Sequence, residues 1–327
     1  MIFKFTDGID SVEWKRNEIK TLSQGEKRVL YLLNFIFEVE SRKLAGQETL
    51  FVIDDIADSF DYKNKHAIIE YLNDLANVDF FYQLILTHNY DFYRSIANVY
   101  VNRQRCLMAN KNNDKITLIK AEGIKNYFIG KWKDHISESD TIICATIPFV
   151  RNLIEYTSGE GDSDYLTLTS LLHWKQNSDT ITIGQYHKIY NKVFNTNYDE
   201  SIPRKVLDLL INQASIISSN PIIDGLCLED KVVMSIAIRL QAEKYMIKKI
   251  RDIDNNPNYW CEEESQFGYL LKMLRSKDPS LNTFKSLEKV SITVSSNIHL
   301  NSFMYEPIID LTIEHLNHLY NEIVALV

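Results

Sequence analysis

Two short apolar runs with a helical stretch between them constrain the fold of the first third of this chain. TLFVID (49–54) and FYQLILT (81–87) are bounded by polar residues, which is typical of buried strands. The stretch between them, YKNKHAIIEYLNDLA (62–76), carries its apolar residues at helical spacing. Because a strand, a helix and a strand follow one another, the sequence predicts a βαβ unit with a parallel sheet.

Polar residues follow each of these predicted strands. Asp54 and Asp55 end the first, and His88 comes just after the second. Ligands of open α/β sheets bind at the carboxyl ends of the strands. One carboxylate there can hold Mg²⁺, its neighbour can orient an attacking water, and a histidine can donate a hydrogen bond to a γ-phosphate. Taken alone, two acids at a strand end are also typical of a turn, and a lone histidine is more often structural.

A helix start with the features of an anion site lies upstream. Ser23 and Glu26 form a capping box before a long apolar-periodic run, and Gly46 is a plausible stop for that helix. The unpaired amide groups and the dipole of a helix N-terminus both favour phosphate, and Gly25 lets the backbone approach closely. For these few residues alone, an ordinary capped helix is the alternative interpretation.

The order of these motifs carries more information than any one of them. LSQGE (22–26), LFVIDD (50–55), DSFD (58–61) and LTH (86–88) occur in the order and spacing of the ABC ATPases. The chain therefore resembles that superfamily, and within it the SMC-like heads of DNA-repair and phage-defence ATPases. It looks closest to a bacterial group that includes the anticodon nucleases. The motifs cover about residues 20–95.

The resemblance implies a role for each motif and an ATP-dependent homodimer, with ATP or GTP and Mg²⁺ as cofactors. In the family, the signature motif of one subunit contacts ATP that the other subunit holds. Asp55 stands where most ABC enzymes carry the catalytic glutamate; its side chain is one methylene shorter, so we expect it to hold the water less well. The implied residues are Ser23, Gln24, Gly25 and Glu26 in the signature, Asp54 for Mg²⁺, Asp58 and Asp61 in the D-loop, and the switch His88.

The phosphate-binding loop GxxxxGK[ST] does not occur in this sequence, where the only Gly-Lys pair is Gly130-Lys131. Without that loop, the α- and β-phosphates have neither a backbone cradle nor a lysine. The missing half belongs either to a longer protein of which this chain is a fragment, which we expect, or to another chain. The chain alone is expected to hydrolyse nothing.

The residue pattern of the sequence changes after Gly123, beyond which it consists mainly of amphipathic helical segments. We predict an α/β lobe of the ABC ATPase type over residues 1–122 and a mainly α-helical effector or coupling domain over 123–327. Residues 98–108 and 115–120 resemble a hairpin that closes the lobe. These elements predict an α/β first third followed by a helical remainder.

The helical domain holds an Arg-x-x-x-Glu pair, Arg151 and Glu155, with Pro148 placed to suit the helix start. The plain interpretation is an i,i+4 ion pair. The anticodon nucleases carry such a pair and a downstream histidine, so the resemblance implies a ribonuclease alternative. There, arginine would stabilise the phosphate while glutamate and histidine exchange protons. His173 and His187 are both candidates, and the sequence does not choose between them.

The composition of the chain limits which cellular compartment and which binding partners are expected. The net charge is −8, so the surface as a whole should not attract nucleic acid, and tRNA or DNA would need a local basic patch. The basic stretches 244–252 and 272–277 are interleaved with acids, which favours a solvated helix face over a backbone-binding strip. The 4 cysteines form no CxxC pair, and the sequence shows neither a signal peptide nor a membrane span. A cytoplasmic protein is therefore predicted.

Three functions remain open on the sequence alone. The first is a nucleotide-switched ATPase lobe, with a role in phage defence or in DNA or RNA maintenance. The second is a tRNA ribonuclease under ATPase control. The third is an interaction module without activity.

Overall fold

The computed structural model describes residues 2–6, 11–15, 24–56, 65–97, 100–111, 115–121, 128–220, 227–263, 265–294 and 311–327. Contacts along the chain divide it into two compact units, Met1–Arg103 and Gln104–Val327. The predicted functional boundary between residues 122 and 123 is a different division, and it stays a prediction.

The first unit is built from strands and helices in alternation after an antiparallel strand pair. Its described elements are β1 (Ile2–Thr6), β2 (Ser11–Lys15), α1 (Gln24–Leu44), β3 (Thr49–Asp54), α2 (Lys65–Ala76), β4 (Phe81–Leu86) and α3 (Tyr90–Ile96). Strands β1 and β2 pair with each other in antiparallel orientation.

Strands β3 and β4 form a parallel pair in register from Thr49 opposite Phe81 to Asp54 opposite Leu86. Helix α2 connects them, so the predicted βαβ unit is confirmed. One face of the pair packs into an apolar core with α1, α2 and α3. Its buried members are Val39, Phe51, Ile53, Ile68, Ile69, Leu72, Leu75, Phe81, Phe92 and Ile96.

Helix α1 ends in a Schellman motif at the predicted stop. Gly46 has φ +61°, a left-handed conformation that glycine adopts without strain. Its N–H donates to the Lys43 carbonyl at 3.2 Å, and the N–H of Gln47 donates to the Arg42 carbonyl at 3.0 Å. These bonds satisfy carbonyls that the helix end would leave unpaired. The prediction of a stop at Gly46 is confirmed.

The second unit is mainly helical after a short hairpin. Its described elements are β5 (Leu107–Lys111), β6 (Ile116–Lys120), α4 (Asp140–Ser158), α5 (Ser163–Leu172), α6 (Ile183–Phe194), α7 (Val206–Ser219), α8 (Leu228–Asp254), α9 (Gln266–Lys277), α10 (Phe284–Thr293) and α11 (Ile313–Val324). Helix α8 is the central one, since α4, α5, α7, α9, α10 and α11 all pack against it. No helix in the described ranges combines the length and the apolar character needed to cross a bilayer.

The hairpin has a shorter first arm than predicted. Strands β5 and β6 pair antiparallel from Leu107 opposite Lys120 to Lys111 opposite Ile116. The first arm is therefore 107–111, opposite the five residues of β6. The prediction of a first arm over 98–108 was wrong in its bounds, and Arg103–Arg105 forms a 3₁₀ turn instead.

Pro148 lies inside α4 and not at its start, so the prediction of a helix beginning there was wrong. The helix begins at Asp140, eight residues earlier. Proline removes the backbone bond to the carbonyl four residues before it. The helix nevertheless continues because burial holds the segment on both sides of Pro148: every residue from Ile143 to Asn152 is buried. Packing has therefore overridden the local cost of the proline.

Candidate functional site

The carboxyl ends of β3 and β4 lie side by side and bring the predicted phosphate-facing residues to one edge. Asp54 pairs in register with Leu86, and the N–H of Asp55 donates to the Leu86 carbonyl at 3.0 Å. His88 follows two residues after β4 ends. The parallel order of the strands thus places Asp54, Asp55 and His88 at the same edge of the sheet.

Asp55 and His88 are bound to each other across this edge. The Asp55 Oδ1 atom lies 2.9 Å from His88 Nδ1 and accepts a hydrogen bond from the His88 backbone N–H at 3.1 Å. Asp55 has φ +44°, a left-handed conformation that aspartate tolerates better than most residues. Since Nδ1 donates to the carboxylate, Nε2 accepts in the neutral ring and donates only in the imidazolium. The His88 side chain is 71% exposed, so a ligand can reach it.

Asp54 is exposed beside this pair. Mg²⁺ usually binds through one or two carboxylates, keeps several waters and takes its remaining ligands from substrate phosphates. Within the part of the chain that the structure describes, no group of three or more His, Cys, Asp or Glu residues could hold a metal ion. An exposed carboxylate such as Asp54 suits a magnesium ion that takes its remaining ligands from a nucleotide and from water.

The other predicted nucleotide-binding residues are only partly described. Gln24, Gly25 and Glu26 form the first turn of α1. Ser23, Asp58 and Asp61 lie outside the described residues.

Arg151 is buried in the helical unit and surrounded by protein groups. Its Nε donates to Thr169 Oγ1 at 2.9 Å, its Nη2 donates to the Tyr165 hydroxyl, and its Nη1 reaches Asn152 Oδ1 at 3.3 Å and Glu155 Oε2 at 3.4 Å. The guanidinium also lies 4.3 Å from the centroid of the Tyr165 ring. The Arg151 side chain is 7% exposed and that of Glu155 is 34% exposed. A phosphate would have to displace these partners to bind Arg151.

Glu243 is the centre of a second buried cluster, which we call the Glu243 hub. Its Oε1 accepts from Arg239 Nε at 3.1 Å and lies 3.2 Å from His173 Nδ1. Its Oε2 accepts from the Trp174 backbone N–H and from Gln266 Nε2, both at 2.7 Å. The carboxylate is fully buried, and donors from the end of α5, from α8 and from α9 meet on it. A buried charge requires such complete pairing.

Burial sets the ionisation of the hub. It is the main cause that lowers the pKa of His173; Glu243 opposes the change, while Arg239 and Lys175 add to it. Burial alone would raise the pKa of Glu243, but its contacts with His173 and Arg239 outweigh burial and lower it. Burial also lowers the pKa of Arg239, with a smaller contribution from the charge of Arg151. The lowered pKa favours the uncharged imidazole at neutral pH, and His173 Nδ1 lies within hydrogen-bond distance of Glu243 Oε1.

His187, the other histidine predicted for a nuclease, lies in α6 and is also buried. Its Nδ1 donates to the Asp199 carbonyl at 2.7 Å, which fixes the proton on that nitrogen in the neutral ring. Its Nε2 has no hydrogen-bond partner among the described residues. The rings of Tyr186 and Tyr198 lie beside the imidazole. These contacts are those of a packed core histidine.

Arg239, Glu243 and Gln266 were not predicted from the sequence. One signal was present, because Arg239 and Glu243 interrupt the long apolar run of α8. Charged residues are almost never fully buried unless they are paired, so their position predicted partners. The sequence could not show which distant residues those partners are.

The basic stretches of α8 and α9 are largely engaged with neighbouring groups. Lys277 lies 2.6 Å from Asp254, and Arg275 pairs with Glu288. Arg251 donates to the Tyr259 carbonyl at 2.9 Å and stacks over Trp260. These contacts support the interpretation of a solvated helix face.

Comparison of the chain with protein-family models, with curated proteins and with solved structures finds no match.

Proposed function

We propose that this chain is the C-terminal lobe of an ABC-type ATPase head, a nucleotide-dependent dimerisation switch in phage defence or in DNA or RNA maintenance. The observation that carries the proposal is the meeting of Asp54, Asp55 and His88 at the carboxyl edge of the β3–β4 pair. The motif order of the sequence supports it independently. A P-loop half, on the same protein or on another chain, completes the site.

The three residues take different parts in this proposal. Asp54 holds Mg²⁺, which in such sites neutralises the charge that develops on the phosphates. Asp55 orients the attacking water and also holds His88 through Oδ1. His88 contacts the γ-phosphate from its exposed side chain. Because one oxygen of Asp55 is already engaged by His88, and because the side chain is shorter than glutamate, we expect slow hydrolysis. Slow hydrolysis suits a switch that works by nucleotide-dependent association.

The outer face of the β3–β4 pair supports a partner half. Parallel strands are almost always covered on both faces. Here one face is packed into the core, while the other exposes a row of large apolar side chains. These are Leu50, Val52, Tyr82, Leu84 and Leu86, which we call the outer sheet face. Exposed apolar patches of this kind mark interaction sites.

ATP hydrolysis by the completed head tests the proposal. The tagged chain is purified from its native genomic context so that whatever carries the P-loop half is retained. Mg²⁺-dependent ATP turnover is then compared with that of Asp55→Asn, which keeps the left-handed backbone conformation and removes the charge. We expect kcat to fall by about 10²- to 10⁴-fold, the usual contribution of a positioned acid or base.

The matched control is Asp79→Asn, an exposed acid that lies before β4, at the opposite end of that strand. It should leave turnover unchanged, whereas His88→Ala should lower it. Full turnover in both Asp55→Asn and His88→Ala, or a purified complex without nucleotide turnover, would refute the proposal.

The ribonuclease alternative gains no support from the geometry. The contacts of Arg151 with Thr169, Tyr165, Asn152 and Glu155 support a structural role for the pair. Catalysis by Arg151 and Glu155, with His173 or His187, stays a prediction.

A further inference from the structure

The Glu243 hub joins three segments that are distant in the sequence. His173 is the residue that caps the C-terminal end of α5, Arg239 and Glu243 lie in α8, and Gln266 begins α9. Gln266 Nε2 also donates to the Trp174 carbonyl at 2.9 Å. The hub is therefore the polar contact through which the end of α5, the middle of α8 and the start of α9 hold one another.

The position of Arg239 favours an uncharged imidazole. Its Nη2 lies 3.1 Å from His173 Nδ1 and 3.3 Å from His173 Nε2. Because the distances to both ring nitrogens are nearly equal, Nη2 lies over the ring and is not aligned with the lone pair of one nitrogen. A cation in this position is compatible with a neutral ring, whose π-face is electron-rich, but it repels an imidazolium. In the neutral ring, Nδ1–H donates a hydrogen bond to Glu243.

We propose that His173 is a proton-operated latch of the helical unit, which closes the contact among α5, α8 and α9 when the imidazole is neutral and releases it when the ring is protonated.

The charges around the ring explain why protonation opens the contact. Among the described residues, Glu243 is a negative group that faces His173, and it is already shared with Arg239. The charge of Lys175 also lowers the pKa of the His173 ring, and the charge of Arg151 lowers the pKa of Arg239. Protonation would place an additional cation in a buried site where Glu243 is already shared among positive groups. Desolvation makes such an excess charge costly, and the site can relieve it by opening to water.

The direction of the pH effect follows from the lowered pKa of His173. The folded value lies below the unfolded value of about 6.5, so the unfolded or opened chain binds more protons between the two values. The contribution to stability is complete above about pH 6.5 and is lost as pH falls through this window. Each unit of pKa difference changes the opening equilibrium tenfold.

Hydrogen exchange of the full chain tests the latch. Exchange is measured by mass spectrometry from about pH 7.5 to about pH 5.5, corrected for the intrinsic pH dependence of exchange and expressed as protection factors. We expect protection in peptides that cover α5 and α9 to fall by as much as about tenfold between about pH 6.5 and about pH 5.5, since one proton changes the opening equilibrium at most tenfold for each pH unit inside this window. In His173→Asn the side-chain amide can still donate to Glu243 but does not titrate. The excess loss of protection at low pH should therefore disappear.

The matched control is His315→Asn, the same change at an exposed histidine of α11. It should retain the pH dependence of the unchanged chain. A pH dependence that is the same in His173→Asn and in the unchanged chain would overturn the latch. If His173→Asn does not fold, the ring resonances of His173 in the unchanged chain decide by NMR. A titration midpoint below about 6.5 supports the latch, and one at or above it overturns the proposal.

Discussion

Arg151 and Glu155 differ in exposure in a way that separates a structural role from a catalytic one. The arginine side chain is 7% exposed and the glutamate side chain is 34% exposed. Replacement of Arg151 leaves the hydroxyl groups of Tyr165 and Thr169 without their donor. For Arg151→Gln we expect a loss of about 3 kcal/mol in the free energy of unfolding, because each buried polar group left without its partner costs about 1 to 3 kcal/mol. Urea denaturation followed by circular dichroism measures it.

The control for this substitution is Arg275→Gln, which removes an arginine from an ion pair with Glu288 in which both side chains are about half exposed. Surface pairs contribute little, so we expect a change below about 1 kcal/mol. Glu155→Gln completes the set, because its partial exposure should allow the unit to fold. Loss of tRNA cleavage in Glu155→Gln with unchanged stability would show that the pair is catalytic.

Some residue roles could be predicted from the sequence, and others depend on contacts that the sequence does not show. Gly46 was predictable because a helix stop is a local property. Gly184 was not: a Cβ there would lie 2.1 Å from the carbonyl oxygen of Glu200, which the fold brings against the start of α6. The partners of Glu243 lie up to 70 positions away, so no spacing rule reaches them.

At the scale of the elements, substitutions on the outer sheet face test whether this face binds the P-loop half. Val52 and Leu84 lie on this face, on neighbouring strands. Because both are exposed in this chain, Val52→Asp and Leu84→Asp should change its stability by less than about 0.5 kcal/mol. Each should weaken association with a P-loop half at least about tenfold, since burial of a carboxylate without a partner costs more than 1.4 kcal/mol.

Isothermal titration of the chain with the purified P-loop half measures this association. Ala67→Asp is the control, because Ala67 is exposed in the first turn of α2, away from the sheet, where an acidic residue is favourable. Unchanged affinity in both sheet variants would mean that the outer sheet face does not bind the P-loop half. The ATPase proposal itself would survive that result, since it depends on Asp55 and His88.

The helices and strands were predictable wherever a local sequence pattern determines them. The βαβ unit followed from apolar runs and helical periodicity, and the parallel orientation of the strands follows from that topology. The start of α4 was not predictable because Pro148 normally stands near a helix start. Burial of the whole segment from Ile143 to Asn152 decides the outcome, and burial depends on the other helices of the unit.

The whole molecule consists of two compact units whose division differs from the predicted functional boundary. The β5–β6 hairpin belongs to the unit that begins at Gln104. At the base of the hairpin Cys106 and Ala121 are both buried, and the Ala121 N–H donates to the Cys106 carbonyl at 2.9 Å. The sequence suggested instead that the hairpin closes the α/β lobe, because the amphipathic helical segments begin only after Gly123.

The position of this division predicts how the helical unit behaves when it is expressed alone. A chain that begins at Gln104 retains the hairpin, whereas a chain that begins at Ile124 lacks it. We expect the longer chain to unfold in one cooperative transition, with a free energy of unfolding about 1 kcal/mol higher, because Cys106 and Ala121 at the base of the hairpin are buried. Urea denaturation of both chains measures the difference. Equal stabilities would mean that the hairpin contributes nothing to the helical unit, and the boundary predicted from the sequence would then describe the folding units better.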